Sequence, residues 1–220
     1  FFKINSIEVI GNVRYTAEEI IKASGIQPGD NLIALPRSRI SAAIRTQLPY
    51  VEGVVIQRTP PDRVVLKVTE RVAAASIDSA EGRWLITTQG KLLEQAVSGQ
   101  CLEVTGLTAL APYAGGMVQV AEEEQNTLDY VLELLGELEG RGILGQCTAL
   151  DCSAVTSLTL NYGIYRIKLP RGGDYRYYIS LALSALDSGL SSGKLQEGQG
   201  GTLDLTVTKG KAIFQPNREN

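Results

Sequence analysis

The sequence predicts an α+β protein in two parts: an N-terminal βααββ unit, then a mixed β-sheet domain with two packed helices and a C-terminal hairpin. Three observations carry this expectation. Between Phe2 and Arg71, three runs of strand periodicity enclose two short helix signals. Farther on, two longer amphipathic stripes alternate with short strand-like runs. The last run, Gly201 to Pro216, alternates Leu203, Leu205 and Val207 with Thr202, Asp204, Thr206 and Thr208, turns at Lys209-Gly210, and resumes at Ala212, Ile213 and Phe214.

In the first part, Phe2, Ile4 and Ile7 or Val9 alternate with polar residues until Gly11-Asn12 ends the strand. Thr16-Ala17-Glu18-Glu19 reads as a capping box, in which the Thr16 hydroxyl accepts from the Glu19 amide and the Glu19 carboxylate accepts from the Thr16 amide. Ile20, Ile21 and Ala23 continue that helix to Gly25. Pro28-Gly29-Asp30 turns the chain. Ser38 is expected to cap a second helix, with Ile40, Ala43, Ile44 and Leu48 on its stripe and Pro49 as its stop. Arg37, Arg39 and Arg45 lie off the stripe and read as solvated charges, with an acidic lipid or partner contact as the alternative. Val54-Val55-Ile56 and Val64, Leu66 and Val68 supply two strands around the turn Thr59 to Asp62.

In the second part, Ile77, Trp84-Leu85-Ile86, Leu92-Leu93-Glu94 and the Leu102 to Leu107 run read as strands, and Pro112 to Gly116 as a loop. Leu128, Val131, Leu132, Leu135 and Leu138 form one helical stripe ending at Gly140 and Gly142. Leu158 to Leu160 and Ile164 to Leu169 form a hairpin with its turn at Asn161 to Gly163. Tyr178, Ile179, Ala182, Ala185 and Leu186 mark a second helix that Gly189 is expected to stop.

Composition narrows the function. The chain has 220 residues, 44% of them hydrophobic, and a net charge of −3. Such a balance describes an ordinary globular protein and offers no broad basic field for nucleic acid. No run approaches the ~18 apolar residues that cross a bilayer, and none has the shape of a signal peptide. The sequence opens on Phe1-Phe2-Lys3 without an initiator Met. We therefore expect a segment of a longer protein, in whose missing part an anchor could lie.

Catalytic chemistry finds no support. Without His, neither a Ser-His-Asp nor a Cys-His constellation can form, and Arg171-Gly172-Gly173-Asp174 lacks the spacing of a phosphate-binding loop. Cys101, Cys147 and Cys152 contain no CxxC pair, so a zinc site is not expected. Cys147 and Cys152 can bridge in principle, but two unpaired buried thiols are the favoured reading. Glu122-Glu123-Glu124 precedes a helix, where its charge is stabilised by the dipole, and consecutive carboxylates there point in different directions. A carboxylate pair for sugar hydrolysis is the weakest alternative. Tyr175, Tyr177 and Tyr178, with Arg171 and Arg176, resemble a stacking platform; we expect Tyr178 in the core and the other two tyrosines on an exposed rim. No catalytic, metal or cofactor residue is expected, and the chain is not expected to be an enzyme.

The run FKINSIEVIGNVRYTAEEIIKASGIQPGDNLIAL, with Leu48-Pro49 before the second strand and the closing Val68-Thr69-Glu70-Arg71, resembles a POTRA domain. Trp84-Leu85-Ile86, Gly90, the Leu-rich helix, Gly163-Ile164 to Leu169, the last helix and Asp204-Leu205 follow in the order of the second domain of the FtsQ/DivIB division proteins. Departures fall at Thr87-Thr88-Gln89, around Val72-Ala73 and near Tyr177. The resemblance implies a POTRA domain over residues 1–71, an FtsQ/DivIB-type β domain over 72–216 and a disordered tail over 217–220. It also implies a membrane helix before Phe1, an extracytoplasmic location at the division septum, and FtsL-type and FtsB/DivIC-type bitopic coiled-coil partners.

A terminal hairpin can leave backbone groups unpaired and open to a strand from another protein. Thr208, Gly210, Ala212 and Phe214 are the residues expected at that partner-binding edge; the competing expectation is a last strand that completes the core and buries Phe214. The alternative function is a POTRA-bearing component of polypeptide transport or outer-membrane assembly. Against it stand the single POTRA pattern and the lack of a barrel-like strand series.

Overall fold

The computed structural model describes residues 2–217. They divide into two compact units, one comprising residues 2–72 with 91–94 and 113–116, the other residues 73–90, 95–112 and 117–217.

The first unit runs β1 (Ser6–Ile10), α1 (Ala17–Ser24), α2 (Arg37–Gln47), β2 (Val51–Thr59) and β3 (Arg63–Glu70). Its sheet has the order β1-β3-β2, with β3 parallel to β1 and antiparallel to β2. Val64, Leu66 and Val68 of β3 are buried against Ile20 and Ala23 of α1 and Ile40 and Ile44 of α2. Full burial of such a side chain contributes ~1.5–3 kcal/mol, which is why these alternating and helical stripes set the layering. The capping box forms: the Glu19 amide donates to Thr16 Oγ1 at 3.2 Å, and the Thr16 amide donates to Glu19 Oε2 at 2.8 Å. Ser38 does not cap α2. The helix begins two residues earlier, behind Pro36, whose carbonyl accepts from the Ile40 amide at 3.0 Å and whose side chain offers no cap.

After β3 the chain continues β4 (Ala75–Ser79), β5 (Trp84–Ile86), β6 (Leu92–Gln95, its first three residues counted in the first unit), β7 (Leu102–Ala109), α3 (Gln125–Gly140), β8 (Cys147–Asp151), β9 (Ser157–Tyr162), β10 (Tyr165–Pro170), α4 (Tyr175–Ser191), β11 (Gly201–Asp204) and β12 (Ile213–Pro216). The sheet order is β12-β11-β10-β9-β8-β7-β4-β5-β6. Parallel neighbours need a crossover rather than a tight turn. The parallel pairs β7/β8 and β10/β11 accordingly span α3 and α4. Arg141, just past α3, joins the two helices by donating to Ser180 Oγ at 2.7 Å. Arg83, just ahead of β5, ties β4 to β7, donating to Asp78 Oδ1 at 2.8 Å, the Ser76 carbonyl at 3.1 Å and the Val104 carbonyl at 2.7 Å.

Several local expectations are corrected. β8 is not expected from the sequence: only Cys147 and Leu150 are buried in CTALD, three residues apart across the register shift between Cys147 and Ala149, and its strand character comes from the neighbours on both sides. The β9–β10 turn sits at Gly163-Ile164, because Tyr162 pairs with Tyr165 and keeps Asn161 in the ladder. On α3, Leu134 is buried and Leu132 only half-buried. Tyr175, not Tyr178, is the core tyrosine of α4: it is fully buried, and its hydroxyl accepts from the Gly172 amide at 2.8 Å. Gly189 does not end α4, which runs two residues farther.

Glu122–Glu124 forms a single 3₁₀ turn ahead of α3. Among the described residues no group of His, Cys, Asp or Glu is placed to hold a metal, and no helix is long and apolar enough to cross a membrane. Cys101, Cys147 and Cys152 are free thiols. Of the expected tail 217–220, residues 218–220 lie outside the described residues, and Asn217 donates its amide to the Gly200 carbonyl at 3.0 Å.

Candidate partner-binding edge

β11 lies between β10, to which it is parallel, and β12, to which it is antiparallel. Among the described residues β12 is the last strand of its sheet. Which of its backbone groups face outward follows from two hydrogen bonds. The Leu205 amide donates to the Lys168 carbonyl at 3.0 Å, and the Asn217 amide donates to the Gly200 carbonyl at 3.0 Å. Successive residues of a strand direct their N–H and C=O to opposite sides. With Asp204 opposite Ile213 and Thr202 opposite Gln215, residues 213, 215 and 217 therefore face β11. Phe214 and Pro216 face away. Phe214 thus presents the outward N–H of β12, and its C=O and that of Pro216 are the outward acceptors. Proline at an outward position gives up no bond of the existing ladder.

The four residues expected at the edge occupy different parts of it. Thr208 and Gly210 are exposed in the turn, where the Lys211 amide donates to the Thr208 carbonyl at 3.1 Å. Ala212 is half-buried just ahead of β12, and Phe214 is half-buried within it. The Phe214 ring meets Tyr165 edge-on, with centroids 6.3 Å apart. The regular part of the hairpin is shorter than the alternation suggests: β11 stops at Asp204, and Val207 is exposed. Asp204 ends it chemically. Its Oδ1 accepts from the Thr206 amide at 2.8 Å and from the Thr206 hydroxyl at 2.6 Å, while Lys168 Nζ lies 3.4 Å from Oδ2. Burial alone would raise this carboxyl, but the Thr206 bonds and Lys168 hold it below its ordinary value.

Beside β12 runs a groove of about 630 Å³ between the hairpin and the C-terminal half of α4. Ala185, Leu195, Leu203 and Phe214 contribute apolar surface to it, and Ser188 and Lys194 contribute polar groups. Side chains alternate across a sheet. A strand laid against β12 would therefore send every second side chain toward this groove. At the other end of the hairpin, Tyr177 is 45% exposed, and its hydroxyl oxygen would stand 3.3 Å from a Cβ placed on Gly210. Its place beside the turn was not foreseen. The available signal was the Asp174 N-cap, which accepts from the Tyr177 amide at 3.0 Å and so sets the direction of that first helical turn.

Residues 2–71 match the family model of the FtsQ-type POTRA domain. The chain is 27% identical to the cell division protein FtsQ of Syntrophotalea carbinolica over 79% of its own length and 61% of that protein. It is 29% identical to the cell division protein FtsQ of an Anaeromyxobacter species over 66% of its length and 48% of the relative. With the cell division protein DivIB of Clostridium acetobutylicum, identity is 32% over 49% of this chain and 44% of the relative. The chain thus spans between 44% and 61% of these curated relatives. Its first unit matches the FtsQ-type POTRA domain, and the chain is similar to the FtsQ and DivIB cell division proteins.

Proposed function

We propose that this chain is the extracytoplasmic part of a non-enzymatic, single-pass division scaffold, and that it recruits FtsL-type and FtsB/DivIC-type partners to the septum by strand addition at β12. Residues 1–71 form its POTRA domain, and residues 72–216 its partner-recruiting domain. The observation that carries this reading is the outward alternation of Phe214 and Pro216 on a terminal strand, supported by the groove beside it. In strand addition, main-chain hydrogen bonds supply affinity and alternate side chains supply specificity. Thr208, Gly210 and Ala212 extend the edge toward the turn, and Phe214 supplies both an outward amide and a ring in the groove.

The test is the affinity of an FtsB/DivIC-type ectodomain for Ala212→Pro and for a semisynthetic chain N-methylated at Phe214. Neither change removes an amide that faces β11. Each lost ladder bond is worth ~0.5–1.5 kcal/mol, so affinity is expected to fall roughly 2- to 13-fold. Unchanged affinity in both folded variants would overturn the proposal.

A further inference from the structure

A second concavity lies in the first unit, between the C-terminal end of α1 and the exposed side of α2. It encloses about 410 Å³ and is floored by Ile26, Leu35 and Ile40. Small residues make the room: Ala23 on one wall and Ala43 on the other. The rim carries Lys22 and Arg39, both exposed. Neither has an ion-pair partner among the described residues. The rest of α2 strengthens this asymmetry, because the helix contributes Arg37, Arg39 and Arg45 and no carboxylate.

Most carboxylates of the unit are engaged elsewhere; the exception is Glu18, one helical turn before Lys22 on α1, which makes no ion pair among the described residues. Glu8 pairs with Arg63 and Glu52 with Arg71, while Glu19 closes its capping box. Asp30 is the one carboxylate that lines the cleft, and its Oδ2 already accepts from the Gln27 amide at 2.9 Å. The cleft thus joins an apolar floor to two cations on its lips that form no ion pair among the described residues.

We infer that this cleft docks a short acidic segment of a partner polypeptide that carries one apolar side chain between carboxylates. The apolar residue seats over Ile26, Leu35 and Ile40, and the flanking carboxylates pair with Lys22 and Arg39. A concave, apolar-floored site with cations on its rim suits an inserted side chain. A lipid surface would instead be met by apolar groups standing out among the cations. Exposed pairs are individually weak, so the seated side chain provides specificity and the cations provide charge selection.

The experiment titrates the full chain with a fluorescein-labelled Asp-Glu-Leu-Phe-Asp-Glu peptide, its Asn/Gln counterpart, and vesicles of anionic phosphatidylglycerol. Saturable binding of the acidic peptide is expected, weakened at least about tenfold in the Asn/Gln version and in the Lys22→Glu/Arg39→Glu variant. Ala43→Leu, which narrows the cleft without touching a charge, is expected to weaken it to a similar degree. Three results would overturn the proposal: no saturable peptide binding; charge-reversal sensitivity with no effect of Ala43→Leu, which would mean diffuse attraction to a basic helix; or Lys22- and Arg39-dependent binding to vesicles in place of the peptide. Circular dichroism confirms that each variant is folded, and the β12 variants above should leave this binding unchanged.

Discussion

The ring of Phe214 lies over the bare α-carbon of Gly201: a Cβ placed there would stand 2.5 Å from Phe214 Cζ and 2.5 Å from the Gln215 carbonyl oxygen. Both atoms belong to β12, so the edge strand rests on a residue without a side chain. Gly201→Ala is expected to push Phe214 out of the groove and loosen β12, at a cost of ~1–3 kcal/mol from overpacking. Urea unfolding checks the cost. Hydrogen exchange should show faster exchange of the Ile213 and Gln215 amides, with the amides of β7 and β8 unaffected. Unchanged protection at those two amides would show that the strand does not depend on the close approach.

A second close approach holds the far wall of the same groove. A Cβ on Gly189 would lie 2.5 Å from Leu195 Cδ1 and 2.8 Å from its Cγ. Gly189 sits inside α4, where alanine would ordinarily gain ~1 kcal/mol. Here displacement of the buried Leu195 opposes that gain at ~1–3 kcal/mol. Gly189→Ala is therefore expected to destabilise the protein modestly, and the same substitution in a Leu195→Ala background to stabilise it. A double-mutant cycle reads the difference as coupling. Additive effects would show that the two residues do not meet.

The layering was legible because it rests on burial periodicity. Ile40 and Ile44, Val64 to Val68, and Ile179 to Leu186 each announce an inward face. What escaped depends on partners remote in the chain. β8 offers only Cys147 and Leu150 as inward residues and becomes a strand because β7 and β9 flank it. Tyr175 and Tyr178 are one helical turn apart, so periodicity cannot choose between them. The choice falls to the Gly172 amide, which donates to the Tyr175 hydroxyl. Gly189 reads as a helix stop by residue type, but its role is to make room for Leu195. At the edge, the hairpin and its Lys209-Gly210 turn were legible, whereas the outward direction of Phe214 required the register with β11.

The two buried thiols titrate far above an ordinary cysteine, whose value is 9.0. Burial pushes Cys147 up to about 11 and, despite Arg171 nearby, Cys152 up to about 12. The thiolate is the reactive form, so at about pH 8 both should resist alkylation in the folded protein and react promptly in denaturant. The linkage has a definite sign. The unfolded chain releases these protons near 9.0 while the folded chain keeps them, so stability falls as pH rises from about 9 through 11 to 12. Mass spectrometry after timed iodoacetamide treatment checks the first expectation. A Cys147→Ala/Cys152→Ala variant checks the second, and should lose less stability than the parent across that alkaline window. Equal losses would assign the alkaline instability to other groups.

Asp204 makes the terminal hairpin sensitive to acid. Its carboxyl is held below the ordinary 3.8 despite partial burial, by the Thr206 hydroxyl and amide and by Lys168. A group depressed in the folded state contributes stability above its unfolded value and loses it as pH falls through the folded one. Near neutrality the ionised Asp204 therefore pins the chain where β11 ends, and that contribution fades as pH falls below the ordinary 3.8 and through the lower folded value. Asp204→Asn keeps an acceptor for Thr206 but loses the charge, so it should be less stable than the parent by ~1 kcal/mol near neutral pH. The gap should narrow as pH falls below 3.8 and the parent carboxyl takes up its proton. Chemical denaturation of both proteins across this range measures it. Because Asp204 lies opposite Ile213 in the register, the same titration should loosen β12, and partner affinity at the edge should decline in parallel. A stability gap that stays undiminished as the parent carboxyl is protonated below 3.8 would show that the substitution acts through packing rather than through charge.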